Sequence, residues 1–224
     1  MRRTGSVATV LTLLLLATAA HAQSRRTSLT SSGTSRTGNY SLLGADTVPT
    51  GVDVASGEFG YPGVSFGLTH GTSPTSDIGL RFDILYGFEN TSISEFGIGV
   101  RVPFRFAAYK RDRIGVLFHL DPGIKFYTTS PASFGFQWPI GVTLGYTVSP
   151  ELNVAFGVEI PMTLFVTPSP VDFVFGPLFG PAFEYHVDRE LTLGLNTRFG
   201  PMIFTQPGVT RFGFITQLLL AYRL

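Results

Sequence analysis

The sequence predicts an all-β fold, an antiparallel up-and-down transmembrane β-barrel of about ten strands, with eight as the alternative count. Three observations predict it. Large apolar residues recur with a two-residue period over long stretches, which is the signature of a strand with two different faces. The positions between them carry glycine and a few charges, where a soluble strand would carry lysine, glutamate or serine. The chain is 44% hydrophobic and 13% aromatic but only 14% charged, against about 25% charged in typical globular domains. After the N-terminal 22 residues, no run is long and apolar enough to be a spanning helix.

The N-terminus reads MRRTGS, then an apolar run from Val7 to Ala20, then Ala20-His21-Ala22. A basic start, a short apolar run and a small-x-small ending describe a secretory signal peptide, cleaved after Ala22. The run falls short of the about 20 apolar residues that a membrane-spanning helix needs. Residues 1–22 carry two arginines and no acids, so the chain beyond them has 14 basic and 15 acidic residues and a net charge near −1. No basic stripe points to a nucleic-acid partner. Cysteine is absent, which excludes disulfides, thiolate metal sites and a lipidated N-terminal cysteine.

Residues 23–40 begin QSRRTSLTSSGTSRTG and read as a flexible Ser/Thr-rich leader. From 41 to 224 the chain reads as one domain of alternating segments. Residues 61–70 (YPGVSFGLTH) form a strand with Val64, Phe66 and Leu68 in one row, and they need an ascending partner within 41–57. Ile78 to Tyr86 opposes Gly79, Arg81 and Asp83; Phe96 to Phe106 opposes Gly97, Gly99, Arg101 and Arg105. Ile114 to Phe126 opposes His119, Asp121 and Lys125. The stretch FGFQWPIGVTLGYTV at 134–148 places Phe134, Phe136, Trp138, Ile140, Val142, Leu144, Tyr146 and Val148 opposite mainly glycine and threonine. Leu152 to Leu164 opposes Asn153, Gly157 and Glu159. The apolar phase moves to odd numbers over 171–187 and 191–201, and back to even over 212–224.

No charge falls in any apolar row of these segments. A Gly-rich, charge-poor face suits a crowded interior better than open water, so the apolar rows are expected to face lipid, as in transmembrane barrels. A soluble barrel with its apolar row inward would turn the Gly-rich face to solvent. In hydrocarbon a sheet must close, because an open edge would strand its N–H and C=O groups. Similar polar turns precede the strand starts at Ile78, Ile114, Leu152 and Leu191, spaced 36, 38 and 39 residues apart. These short turns are expected at the periplasmic end, with the longer links near 87–93, 127–133, 165–170 and 202–210 at the other. Pro122, Pro139, Pro161 and Pro201 lie about nine residues from a short turn, near the full length of a spanning strand. They are expected at the outer rim, where a missing ladder hydrogen bond is tolerated. Tyr109, Tyr146, Tyr185 and Tyr222 at the turn side, and Trp138 toward the loop side, are expected to form interface girdles.

The signal peptide, alternating strands, short polar turns and final QLLLAYRL together resemble the small outer-membrane β-barrel proteins of Gram-negative bacteria. In the last stretch Leu218, Leu220 and Tyr222 alternate toward the terminus like a C-terminal assembly signal, with Leu224 standing where an aromatic is usual. The resemblance implies residence in the outer membrane, with the lipid bilayer and the outer-membrane assembly machinery as partners. It is a likeness of class and matches no particular family's motif.

The candidate site is the polar face. Arg81, Asp83, Arg101, Arg105, His119, Asp121, Lys125, Glu159, Asp172, Glu184, His186, Arg198 and Arg211 are expected to line the lumen as a polar network, since buried charges need partners. His119 with Asp121, and Glu184 with His186, share faces and could serve as acid/base pairs of a hydrolase. No nucleophile motif accompanies them, so a paired network is the expected role. His70, His119 and His186 lie on separate strands without metal-ligand spacing, and no metal or cofactor is expected. A structural or interaction barrel with a largely filled lumen is therefore expected, with a narrow porin-like channel as the second reading. Folded protein in detergent is expected to migrate differently on a gel unboiled than boiled; identical migration would contradict a closed membrane sheet.

Overall fold

The computed structural model describes residues 40–167, 170–206 and 208–224; the expected signal peptide at 1–22 and residues 23–39 of the expected leader lie outside the described residues. The strands are β1 (Asp53–Tyr61), β2 (Gly63–Ser73), β3 (Ser76–Gly87), β4 (Ser94–Arg101), β5 (Phe104–Arg111), β6 (Ile114–Leu120), β7 (Gly123–Tyr127), β8 (Ser133–Gln137), β9 (Ile140–Thr147), β10 (Leu152–Ile160), β11 (Met162–Thr167), β12 (Asp172–Phe175), β13 (Leu178–His186), β14 (Leu191–Phe204) and β15 (Val209–Arg223). They form one antiparallel 15-stranded sheet. Pairings β3–β5 and β12–β14 join its two ends back into it, so that 12 strands lie on one ring of pairings. No helix of the described residues is long and apolar enough to cross a membrane, which says nothing about strands.

Proline explains why the sheet has so many strands. Five runs of chain are cut once, at Pro103, Pro122, Pro139, Pro161 and Pro177, because proline has no N–H for the ladder. The cuts align across neighbouring strands and are stitched together. The carbonyl of Pro103 accepts the N–H of Gly79, that of Pro122 accepts Val102 and that of Pro139 accepts Asp121, at 2.8, 2.8 and 2.9 Å. The prolines expected at the outer rim therefore form a seam part-way along the wall, because each proline keeps its acceptor while losing its donor. Pro181 and Pro201 lie inside β13 and β14, opposite Phe156 and Phe212.

The expected alternation is present on the strands. In β9 the exposed residues are Ile140, Val142, Leu144 and Tyr146, and the buried ones Gly141, Thr143 and Gly145. The first ascending strand lies further along than 41–57, at Asp53–Tyr61, and pairs with both β2 and β15. Residues 40–48 are coil instead, and Tyr40, which the sequence assigns to the leader, is buried at 1% exposure.

Two apolar clusters occupy the interior. One joins Tyr40, Leu43 and Val48 to Val54, Ala155, Ala182, Leu219 and Ala221 near the short turns. The other, toward the longer links, joins Tyr127, Phe165, Val174, Leu178, Met202, Phe204 and Ile215, with Phe88 packed on them. Glycines of the inner row make room for what enters. A Cβ on Gly145 would lie 2.7 Å from the Cβ of Ala45, and one on Gly115 3.0 Å from the same atom. The short turns are closed by side chains: Asp188 accepts the N–H groups of Leu191 and Glu190 at 2.7 Å each. Those two donors hold the Asp188 carboxyl below the usual carboxylate range. Gly145→Val, which must displace Ala45, is expected to cost about 1–3 kcal/mol in equilibrium unfolding. Leu144→Val on the outer face should cost about 1 kcal/mol or less.

Candidate functional site

Between the two apolar clusters lies a polar cavity of about 170 Å³. The outward–inward alternation aims the charges of many strands at this one space. Asp83 of β3 is at its centre and only 2% exposed. It accepts Arg81 Nε at 3.0 Å, Arg101 Nε and one terminal nitrogen at 2.8 Å each, and the Ser65 hydroxyl at 2.7 Å. Arg81 also grips Glu58 with both terminal nitrogens, at 2.5 and 2.7 Å. Two-pronged guanidinium–carboxylate contacts are the strong form of such bonds. Arg101 lies 3.7 Å from Asp121, and Arg198 pairs with Glu159. The terminal nitrogen of Arg198 sits where a Cβ of Gly157 would be, 2.8 Å away, so a glycine on one strand seats the arginine of another.

Toward the longer links, Glu89 turns inward with a φ of 47°. This left-handed conformation is costly for a residue with a Cβ. In return its carboxylate meets Lys125 Nζ at 2.9 Å and the Thr163 hydroxyl at 2.8 Å. Toward the short turns, Arg105 pairs with Asp77 at 2.6 Å and donates to the carbonyls of Ser41 and Leu42. Among the described residues Glu184 forms no ion pair. It accepts the N–H groups of Leu42 and Leu43 at 2.6 and 2.9 Å, together with the Ser41 hydroxyl.

The structure brings together Arg81, Asp83, Arg101, Asp121, Lys125, Glu159, Arg198 and His119 around the cavity. Arg105 also lines the cavity, and Glu184 joins the wall nearer the short turns. Two expected members lie elsewhere. Arg211 is exposed at the start of β15, because that strand runs past the interior into the loop end. Asp172 accepts the Thr205 hydroxyl at 3.1 Å and the Gln206 N–H at 2.8 Å outside the network. Glu58, Asp77 and Glu89 are partners that the sequence reading missed. Asp77 continues the odd-numbered row of Gly79, Arg81 and Asp83 by one residue, so its place was available in the pattern. Glu58 follows a stretch of poor alternation, and Glu89 sits in a link where parity has no meaning.

The acid/base pairs behave differently from each other. His119 Nδ1 lies 3.5 Å from Asp121 Oδ1, and its Nε2 has no hydrogen-bond partner. His186 bonds Asn153 at 3.1 Å and Thr192 at 2.8 Å and packs on the Tyr40 ring, while Glu184 holds the 41–43 backbone. His186 is thus a structural joint. Among the described residues no hydroxyl is hydrogen-bonded to His119, and no group of three His, Asp or Glu is placed to hold a metal ion. His70 pairs with Asp53 at 2.8 Å on the exposed side of the sheet. The outer aromatics Tyr109, Tyr146, Tyr185 and Tyr222 are exposed, and Trp138 stacks on Phe173 at 6.0 Å. The residues thus define one antiparallel sheet with a ring of 12 strands, whose buried face carries a charged network and whose exposed face carries large apolar side chains. No protein-family model and no curated protein matches the chain.

Removing one partner from a buried ion cluster strands the others. Asp83→Asn is expected to lose about 3–5 kcal/mol in chemical unfolding, while Arg211→Ala should change stability by about 0.5 kcal/mol or less.

Proposed function

We propose that the chain is an integral outer-membrane β-barrel protein, exported by its N-terminal signal peptide, with a structural or interaction role and a closed lumen. Counted once each, the five proline-interrupted runs and β1, β2, β3, β14 and β15 make ten spanning strands. The observation that carries the reading is the inverted distribution of side chains. Among the described residues, 39 large apolar or aromatic side chains are exposed, while 19 polar or charged residues are buried. Phe212, Leu218 and Leu80 are 65%, 60% and 58% exposed. Soluble monomers rarely expose contiguous apolar patches beyond a few hundred Å², whereas a lipid-facing wall demands them.

The closed lumen favours an anchoring or interaction role over conduction. Residues 40–48 fill one end and the cluster around Phe88 and Phe165 fills the other. A barrel of this size has little room beyond its side chains. The last strand, β15, presents Leu218, Leu220 and Tyr222 outward, which is the pattern that the assembly machinery of the outer membrane reads in the proteins this chain resembles. The proposal makes two expectations together. Purified protein should insert into phospholipid vesicles as a heat-modifiable species, and in a planar bilayer it should give no channel openings. Steady openings of the unaltered chain would replace the closed barrel with a pore.

A further inference from the structure

We propose that residues 40–48 are a displaceable plug, and that the lumen behind them is a one-ended vestibule for small hydrophilic solutes. The inference starts from how the segment is held. It lies buried across the short-turn end, yet it adds no strand to the sheet. Its backbone is gripped by side chains of the wall. Glu184 accepts the N–H groups of Leu42 and Leu43, Asp77 accepts that of Val48 at 2.8 Å, and Arg105 donates to the carbonyls of Ser41 and Leu42. This is how a protein binds a peptide, not how it completes a sheet. The wall closes without it, because every strand from β1 to β15 has its neighbours on both sides through its own pairings.

The space behind the plug is built for polar contents. Leu42, Leu43 and Gly44 form its floor. Among the described residues five buried side-chain polar atoms make no hydrogen bond, and four of them belong to cavity-lining residues: His119 Nε2, Asp121 Oδ1, Asn196 Oδ1 and Arg198 Nε. The Asn196 and Arg198 residues are 8% and 6% exposed. Unsatisfied buried groups are costly, so they call for water or a hydroxyl-bearing solute. The opposite end differs in how it is held: Phe88 is stacked on Phe165 at 5.4 Å, and the Glu89 carboxylate meets Lys125 and Thr163 of the strands. A closure gripped mainly through its backbone at one end, and one built from side chains packed between strands at the other, give a vestibule rather than a pore.

The proposal rests on the membrane-barrel reading for which compartment the short-turn end meets, and on the geometry above for the rest. The chain has no cysteine, so a single introduced thiol reports cleanly. Thr143→Cys places one on the inner row of β9, on the cavity wall, at a residue 3% exposed. The reagent is a water-soluble sulfonate methanethiosulfonate, with labelling read by mass on protein in vesicles. In the otherwise unaltered chain labelling should be slow. With residues 40–48 replaced by a Gly/Ser segment of equal length it should be about tenfold faster or more, and Glu184→Gln should fall between the two. The replaced chain should still show no channel openings.

Equal labelling rates with and without the native segment would overturn the proposal. So would channel openings in the replaced chain, since the far end would then not be closed. Loss of heat-modifiable migration in the replaced chain alone would also overturn it, because the wall would then depend on the plug. Loss of that migration in the unaltered chain would instead overturn the membrane reading.

Discussion

Asp83 sets the terms for the interior. A carboxylate taken out of water is tolerated only where other charges and donors replace the solvent, and here two guanidinium groups and a hydroxyl do so. Each of those arginines then needs a second anion, which Glu58 and Asp121 supply. The pairs link β1, β2, β3 and β4 through their side chains in addition to their ladders. The cluster accounts for why Glu58, Arg81, Asp83 and Arg101 turn inward, where each finds a partner.

The inner row must hold these large side chains in a narrow space, and that requirement explains the glycines. Gly157 leaves room for Arg198, Gly141 for His119, and Gly115 and Gly145 for Ala45 of the entering segment. A side chain at each inner position would overfill the space, so adjacent strands alternate between giving and taking volume. The same economy shapes the wall. Aligned prolines interrupt five runs, yet the carbonyls of Pro103, Pro122 and Pro139 accept hydrogen bonds across the seam, so that the pairing survives their missing donors.

Much of the wall was legible in the sequence because each strand meets two contrasting environments, and a two-residue period records that contrast directly. Phe136, Ile140 and Leu144 are outward and Gln137 and Thr143 inward, as their parity requires. What was not legible depends on distant contacts. Residues 40–48 have no period, and they are held by Glu184, Asp77 and Arg105, which the local sequence does not announce. Glu89 enters the interior through a left-handed backbone turn, and Arg211 leaves it because β15 extends past the buried network. The proline seam needs the register between strands, which no single strand contains.

The central claim is that the apolar rows meet lipid. The chain has a single tryptophan, Trp138, which lies in such a row and stacks on Phe173. Its fluorescence can be read in the unaltered protein reconstituted into vesicles whose acyl chains carry bromine. Strong quenching by the brominated chains, with little quenching by aqueous iodide, is the predicted result. Strong iodide quenching with none from brominated lipid would contradict it.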